Sequence, residues 1–85
     1  MKDFSELVSN ERVRQEIKWG EQNHCQELCY AILGEEYGEV GTAILVSIFG
    51  TAKADDKDIG KELVHVAAVA KAMYESGVRN GWVQE

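Results

Sequence analysis

Four glutamates and a histidine sit where helical spacing calls for apolar residues. The run Glu35-Glu36-Tyr37-Gly38-Glu39 brings three acids within about two helical turns, and Glu62 and His65 follow on a later segment. At about 100° per residue, Glu35 and Glu39 fall in line with Leu28, Ile32 and Val46, while Glu36 lies beside Ile32 and Ala43. Glu62 lies between Val69 and Met73 inside an apolar arc, and His65 stands at the edge of that arc one turn further on. Carboxylates on a buried face lose hydration and repel one another, so they are costly unless paired or bound to a cation. A shared metal ion resolves both problems, and acids from facing helices are how helical bundles build carboxylate metal sites. Oxygen ligands favour Mg²⁺, with Mn²⁺ as the alternative, and Mg²⁺ characteristically links a few carboxylates to substrate phosphates. The bland reading is a solvated acidic face with Glu62 paired to Lys or Arg. Apolar residues above and below the acids weigh against it.

Three helices must carry these groups. The first spans about residues 2–19, with Phe4, Leu7, Val8 and Ile17 as a weak apolar set. The polar stretch Gly20 to Gln26 opens on glycine and makes a short connection. A second helix from about residue 27 to 49 is apolar nearly all round, which predicts burial on more than one face. Gly34, Gly38 and Gly41 form a narrow stripe on it, where small side chains favour a close helix contact. Residues 50–57 lose periodicity and read as a loop, and Asp58 is a candidate cap for the third helix. That helix is expected to run to about Ser76 and stop at Gly77, with Ile59, Leu63, Val66, Ala70, Met73 and Tyr74 as its core face. The tail from Val78 onward holds Trp82 and has room for a short helical turn. The fold class is therefore all-α, a small bundle of three main helices plus a short C-terminal segment.

With 85 residues, 45% of them hydrophobic and no proline, the chain has room for one domain and one modest core. Its net charge of −6 argues against nucleic acid as a partner, because that binding rests on neutralising phosphates with Lys and Arg. An anionic substrate would need a metal to bridge the repulsion. No apolar stretch approaches the length of a membrane span and no leader pattern is visible, so the expected location is cytoplasmic. Cys25 and Cys29 are too few for a disulfide scaffold and fit a reducing compartment. The second helix carries more apolar surface than three helices of one chain can cover, so completion of the bundle by a homodimer or higher homo-oligomer is expected.

These residues match a known pattern. Glu35-Glu36-Tyr37-Gly38-Glu39 resembles the EExxE motif of MazG-like nucleotide pyrophosphohydrolases, and Glu62 resembles the opening acid of their partner ExxD motif. Upstream, Glu11-Arg12-Val13-Arg14-Gln15 and Lys18-Trp19-Gly20-Glu21-Gln22-Asn23-His24 look like the "ERxRQ" and "KWGxQNH" stretches of small MazG-like proteins. Downstream, residues 62–70 resemble their third helix, so the likeness covers most of the chain from Glu11 to about Tyr74. It implies an all-α, oligomeric enzyme that cleaves nucleoside triphosphates between the α and β phosphates, giving monophosphate and pyrophosphate. It also implies Glu36, Glu39 and Glu62 as Mg²⁺ ligands, with Glu35 assisting the metal shell or the attacking water. One departure stands out: His65 replaces the aspartate of ExxD. Imidazole suits Mn²⁺ or zinc better than Mg²⁺, so this position either weakens the site or changes its metal. Asp55, Asp56 and Asp58 are acids that could compensate from the loop.

Arg14, Lys18 and Lys61 are candidate phosphate contacts and Trp19 a candidate base contact, each set against the plainer role of surface charge or packing residue. Two other classes compete with the hydrolase. His24, Cys25, Cys29 and His65 offer zinc-type ligands without the usual paired spacing. A non-catalytic helical module that binds nucleotide is the alternative if the substitution at His65 has abolished turnover.

Overall fold

The computed structural model describes residues 1–50 and 58–85. The loop expected over residues 50–57, with Asp55 and Asp56, thus lies outside the described residues apart from Gly50. Among the described residues there are three α-helices and no strand: α1 (Phe4–Trp19), α2 (Gln26–Phe49) and α3 (Ile59–Asn80).

Each boundary has a local cause. Asp3 caps α1, its Oδ1 accepting from the Ser5 N–H at 3.0 Å, and Asp58 caps α3 in the same way through Gly60 at 2.9 Å. Asp58 is therefore occupied as a helix cap. Gly50 closes α2 in the left-handed region at φ 62°, a conformation that L side chains rarely adopt.

The third helix does not stop at Gly77 as expected. It runs one turn further to Asn80, and Gly81 takes the left-handed cap position at φ 83°. Gly77 is needed for a different reason: the chain folds back, and the N–H groups of Trp82 and Val83 both donate to the Gly77 carbonyl, at 2.8 and 3.1 Å. A Cβ on Gly77 would overlap Val83 Cγ2 and lie 2.9 Å from the Trp82 ring. This glycine marks close approach of the tail.

α3 is the central element, packed on α2 along one side and on α1 along another. Among the described residues the fully buried apolar ones are few and small: Val8, Cys29, Ala43 and Ala68. On α3 half of the expected core face is displaced: Leu63 is 47% and Tyr74 51% exposed and Ala70 is also exposed, whereas Ile59, Val66 and Met73 are half-buried. Sandwiched between two helices, α3 instead turns inward an arc that holds Glu62, Ala68, Ser76 and Gly77. On α1, Ile17 projects to solvent and Val8 is the buried residue.

The outer face of α2 carries Tyr30, Tyr37, Ile44 and Ile48, all exposed. Beyond the backbone of α2 itself, no described residue comes within 4 Å of a Cβ built at Gly34, Gly38 or Gly41, so the close helix contact expected at that stripe is not made among the described residues. No helix among the described residues is long and apolar enough to cross a membrane.

Candidate metal-binding cleft

Helical spacing brings two of the four expected acids, Glu36 and Glu62, to one interior, while Glu35, expected on the same buried face, is exposed. Glu36 shares the inward arc of α2 with Cys29 and Ala43, and Glu62 faces it from the first turn of α3. Glu62, 6% exposed, is the one acid that is buried among the described residues. His65, one turn further along α3, has Nδ1 3.7 Å from Glu62 Oε2 and 4.0 Å from Glu36 Oε2. One ligand atom each from Glu36, Glu62 and His65 can be chosen so that all lie within 4.8 Å of one another.

A cleft of about 470 Å³ opens beside this trio, with Glu35, Glu39 and His65 in its lining. Glu39 is half-buried and stands outside the tight group; Glu35 is exposed at the cleft. From α1 come Arg14 and Trp19, which line the same cleft. Lys18 and Lys61 do not line it. Lys61 is exposed on the first turn of α3, and Lys18 lays its Nζ 4.7 Å from the centre of the Trp19 ring, a cation–π contact.

Charge is unevenly balanced here. Burial pushes the Glu36 carboxyl above its ordinary value; Glu39, Glu62 and Glu35 add to that, and His65 opposes it. Glu36 Oε2 is buried and has no hydrogen-bond partner among the described residues. A buried acceptor without a donor is the kind of atom that a bound cation satisfies. The donor set, two carboxylates and one imidazole, fits a divalent ion in which nitrogen ligation is tolerated.

Periodicity did not reveal Glu11. Its side chain is only 10% exposed, and its Oε2 lies 3.7 Å from His65 Nε2. Arg14 grips it with two hydrogen bonds, from Nε at 2.9 Å and from the second guanidinium nitrogen at 2.7 Å, and Gln15 adds a third at 3.2 Å. The Arg14 guanidinium holds the Glu11 carboxyl below its usual value, helped by His65 and against the effect of burial. Arg12, beside it, reaches Gln15 and Glu16 and stands 3.6 Å from Glu75 on α3. A signal was present in the sequence: α1 has no coherent apolar stripe, so the face that packs on α3 had to be polar.

The connection between α1 and α2 is tied to the end of α3. Arg79 donates to the Asn23 side chain at 2.9 Å and to the Gln22 carbonyl at 3.1 Å, and the buried Ser76 hydroxyl donates to the His24 carbonyl at 3.4 Å. These bonds fix the segment that leads out of Trp19. The alternative zinc set does not assemble, because Cys25 is exposed and the cysteines are absent from the group formed by Glu36, Glu62 and His65. Cys29 is buried, which pushes its thiol up, with Cys25 adding to the effect.

Compared with models of known protein families, with curated proteins and with solved structures, the chain matches none of them. The role of the cleft has to be argued from its own chemistry.

Proposed function

We propose that the chain is a metal-dependent nucleoside-triphosphate pyrophosphohydrolase of MazG-like type. The observation that carries this is the convergence of Glu36, Glu62 and His65 at the wall of the cleft, with a buried Glu36 oxygen that has no donor among the described residues. The EExxE-type run and its downstream partner add to it, and the cleft volume falls in the range of small-ligand pockets, roughly 300–1,000 Å³.

In this proposal Glu36, Glu62 and His65 hold the ion, Mg²⁺ or Mn²⁺, with Glu39 extending the acidic wall one turn on. When bound, the ion supplies the positive charge that offsets a triphosphate and makes water acidic enough to attack the α phosphorus. Glu35, exposed at the cleft, takes the proton from the attacking water. Trp19 offers a flat apolar face to the base, with Lys18 over its ring. Arg14 and Lys61 are the remaining candidate phosphate contacts; two of Arg14's donors are already committed to Glu11. At a net charge of −6 the protein would repel a triphosphate without such an ion. The proposed setting is the cytoplasm, where nucleotides and reduced thiols coexist, and the proposed assembly is a homodimer or larger, closed through the outer face of α2.

The test is a screen of common and modified nucleoside triphosphates for release of pyrophosphate with Mg²⁺ and with Mn²⁺. Pyrophosphate and monophosphate are the expected products. Inorganic phosphate with a diphosphate product would refute the bond assignment, and nucleotide binding without turnover in either metal would leave a binding module instead of an enzyme.

A further inference from the structure

His65 offers metal a lone pair only from a ring nitrogen that carries no proton. The nitrogen that faces Glu62 and Glu36 is Nδ1, at 3.7 and 4.0 Å, so for ligation there the proton must reside on Nε2. That nitrogen is 3.7 Å from Glu11 Oε2, beyond hydrogen-bond length, so a bond between them requires the two side chains to close that gap when metal binds. His65 is 19% exposed and Glu11 10%, so water is largely excluded from competing.

We propose that Glu11 is a positioning residue for the metal site: it accepts the Nε2 proton of His65, fixes the tautomer, and aims Nδ1 at the ion held by Glu36 and Glu62. This rests on the metal reading of the cleft. Ligating histidines characteristically donate their other N–H to a carboxylate or carbonyl, which fixes ring orientation and makes the ligating nitrogen more basic. Here the carboxylate comes from a different helix. α1 supplies Glu11, α3 supplies His65 and Glu62, and α2 supplies Glu36, so the ion would lock all three helices together.

Glu11 is suited to this task by its surroundings. Arg14 and Gln15, three and four residues along the same helical face, both donate to its oxygens, so the carboxylate is held in one orientation. The spacing of Glu11, Arg14 and Gln15 thereby acquires a function: Arg14 orients Glu11, and Glu11 orients His65. The proposal also accounts for a histidine among ligands that would otherwise all be oxygens. With its tautomer fixed, His65 shifts the preference of the site from Mg²⁺ toward Mn²⁺ or zinc.

The experiment is a cycle of four proteins titrated with Mn²⁺ alone: wild type, Glu11→Gln, His65→Ala, and the two changes combined. Free Mn²⁺ is read from its electron paramagnetic resonance signal, and circular dichroism checks that each variant keeps its helices. Glu11→Gln is expected to weaken Mn²⁺ binding about 10–100-fold, the range for loss of such an outer partner. In the His65→Ala background the same change is expected to have no further effect. Unaltered affinity in Glu11→Gln would overturn the proposal, and so would an equal loss in both backgrounds, which would mean that Glu11 acts by direct ligation or general charge. Absence of Mn²⁺ binding by the wild type would overturn the metal reading itself along with it. A second measurement needs no variant: ¹⁵N spectra of the imidazole in the Zn²⁺-loaded wild type. Protonated Nε2 with metal on Nδ1 is expected; metal on Nε2 would refute the arrangement.

Discussion

Replacing Glu36 with glutamine should stabilise the metal-free protein while destroying its response to metal. Glu36 Oε2 is buried without a hydrogen-bond partner among the described residues, and the carboxyl lies one turn from Glu39 on the same helix. Relief of one like-charged pair at this spacing stabilises a helix by about 0.2–0.5 kcal/mol. Removing a buried acceptor that lacks a donor contributes on the order of 1 kcal/mol more. An amide carries no charge and brings two N–H donors into a cluster with acceptors in excess. The expected gain for Glu36→Gln at neutral pH is therefore about 1 kcal/mol, which for a domain of this size is roughly 4–8 °C in Tm.

The pH dependence has a definite sign. Burial raises the Glu36 pKa above 4.5 in the folded state, so in the window between 4.5 and that raised value the folded protein binds more protons than the unfolded one. Wild-type stability must then fall as pH rises through the window, and the advantage of Glu36→Gln must open over the same range and vanish below it. The assay is thermal unfolding with a chelator, at fixed protein concentration, over a pH series. Excess Mn²⁺ should reverse the order, because saturation to 100 times Kd stabilises a binding protein by about 2.7 kcal/mol and the variant has lost a ligand. A Glu36→Gln protein less stable than wild type in chelator at pH 7 would refute the view of Glu36 as a strained, metal-ready carboxylate.

Three further outcomes are expected. His65→Asp gives the site a third carboxylate and should raise Mg²⁺-dependent turnover relative to Mn²⁺; an inert variant would mean that the imidazole has a role an acid cannot fill. Gly77→Ala should lower stability by about 1 kcal/mol, since overpacking of about 1–3 kcal/mol outweighs the gain in helix propensity, and should release the tail, seen as a red shift of tryptophan emission; unchanged emission and Tm would refute the close packing of Trp82 and Val83. Light scattering at micromolar concentration should find a dimer or larger species, with Tm rising as protein concentration rises; a monodisperse monomer would refute closure through α2.

The fold was legible from helix length and from most helix ends, with Asp58 as a cap and Gly20 and Gly50 closing the first two helices; the Asp3 cap of α1 was not read from the sequence. Gly77 misled because glycine marks two different needs, a left-handed turn and a close approach, and a sequence does not say which. The inward positions of Glu36 and Glu62 could be read from their neighbours on the helical wheel. The burial of Glu11 had only an indirect signal, since its face on α1 is built from Glu11, Arg12 and Gln15 and shows itself as the lack of a coherent apolar stripe. Half of the core face of α3 was misplaced for a related reason. Leu63, Ala70 and Tyr74 do form an apolar stripe, but that stripe points away from both of the chain's other helices.

That outward stripe and the outer face of α2 have a common origin. The surfaces that the three helices turn toward one another are occupied by Glu11, Arg12, Glu36, Glu62, His65 and Ser76, groups that bring hydrogen bonds and charge but little apolar area. Among the described residues the fully buried apolar side chains, Val8, Cys29, Ala43 and Ala68, are few and small, so much of the hydrophobic burial rests on half-buried positions. Several larger apolar side chains, among them Tyr30, Tyr37, Ile44, Ile48, Leu63 and Tyr74, are exposed, and others such as Ile32, Leu33 and Met73 are half-buried. If the interior serves the proposed chemistry, further hydrophobic stabilisation has to come from elsewhere, and a second copy of the same exposed faces is the partner always present at matching concentration. On that argument assembly and metal binding are linked: both stabilise the arrangement that sets α1, α2 and α3 around the acids, so Mn²⁺ should tighten the oligomer and the oligomer should bind Mn²⁺ more strongly, by the same factor.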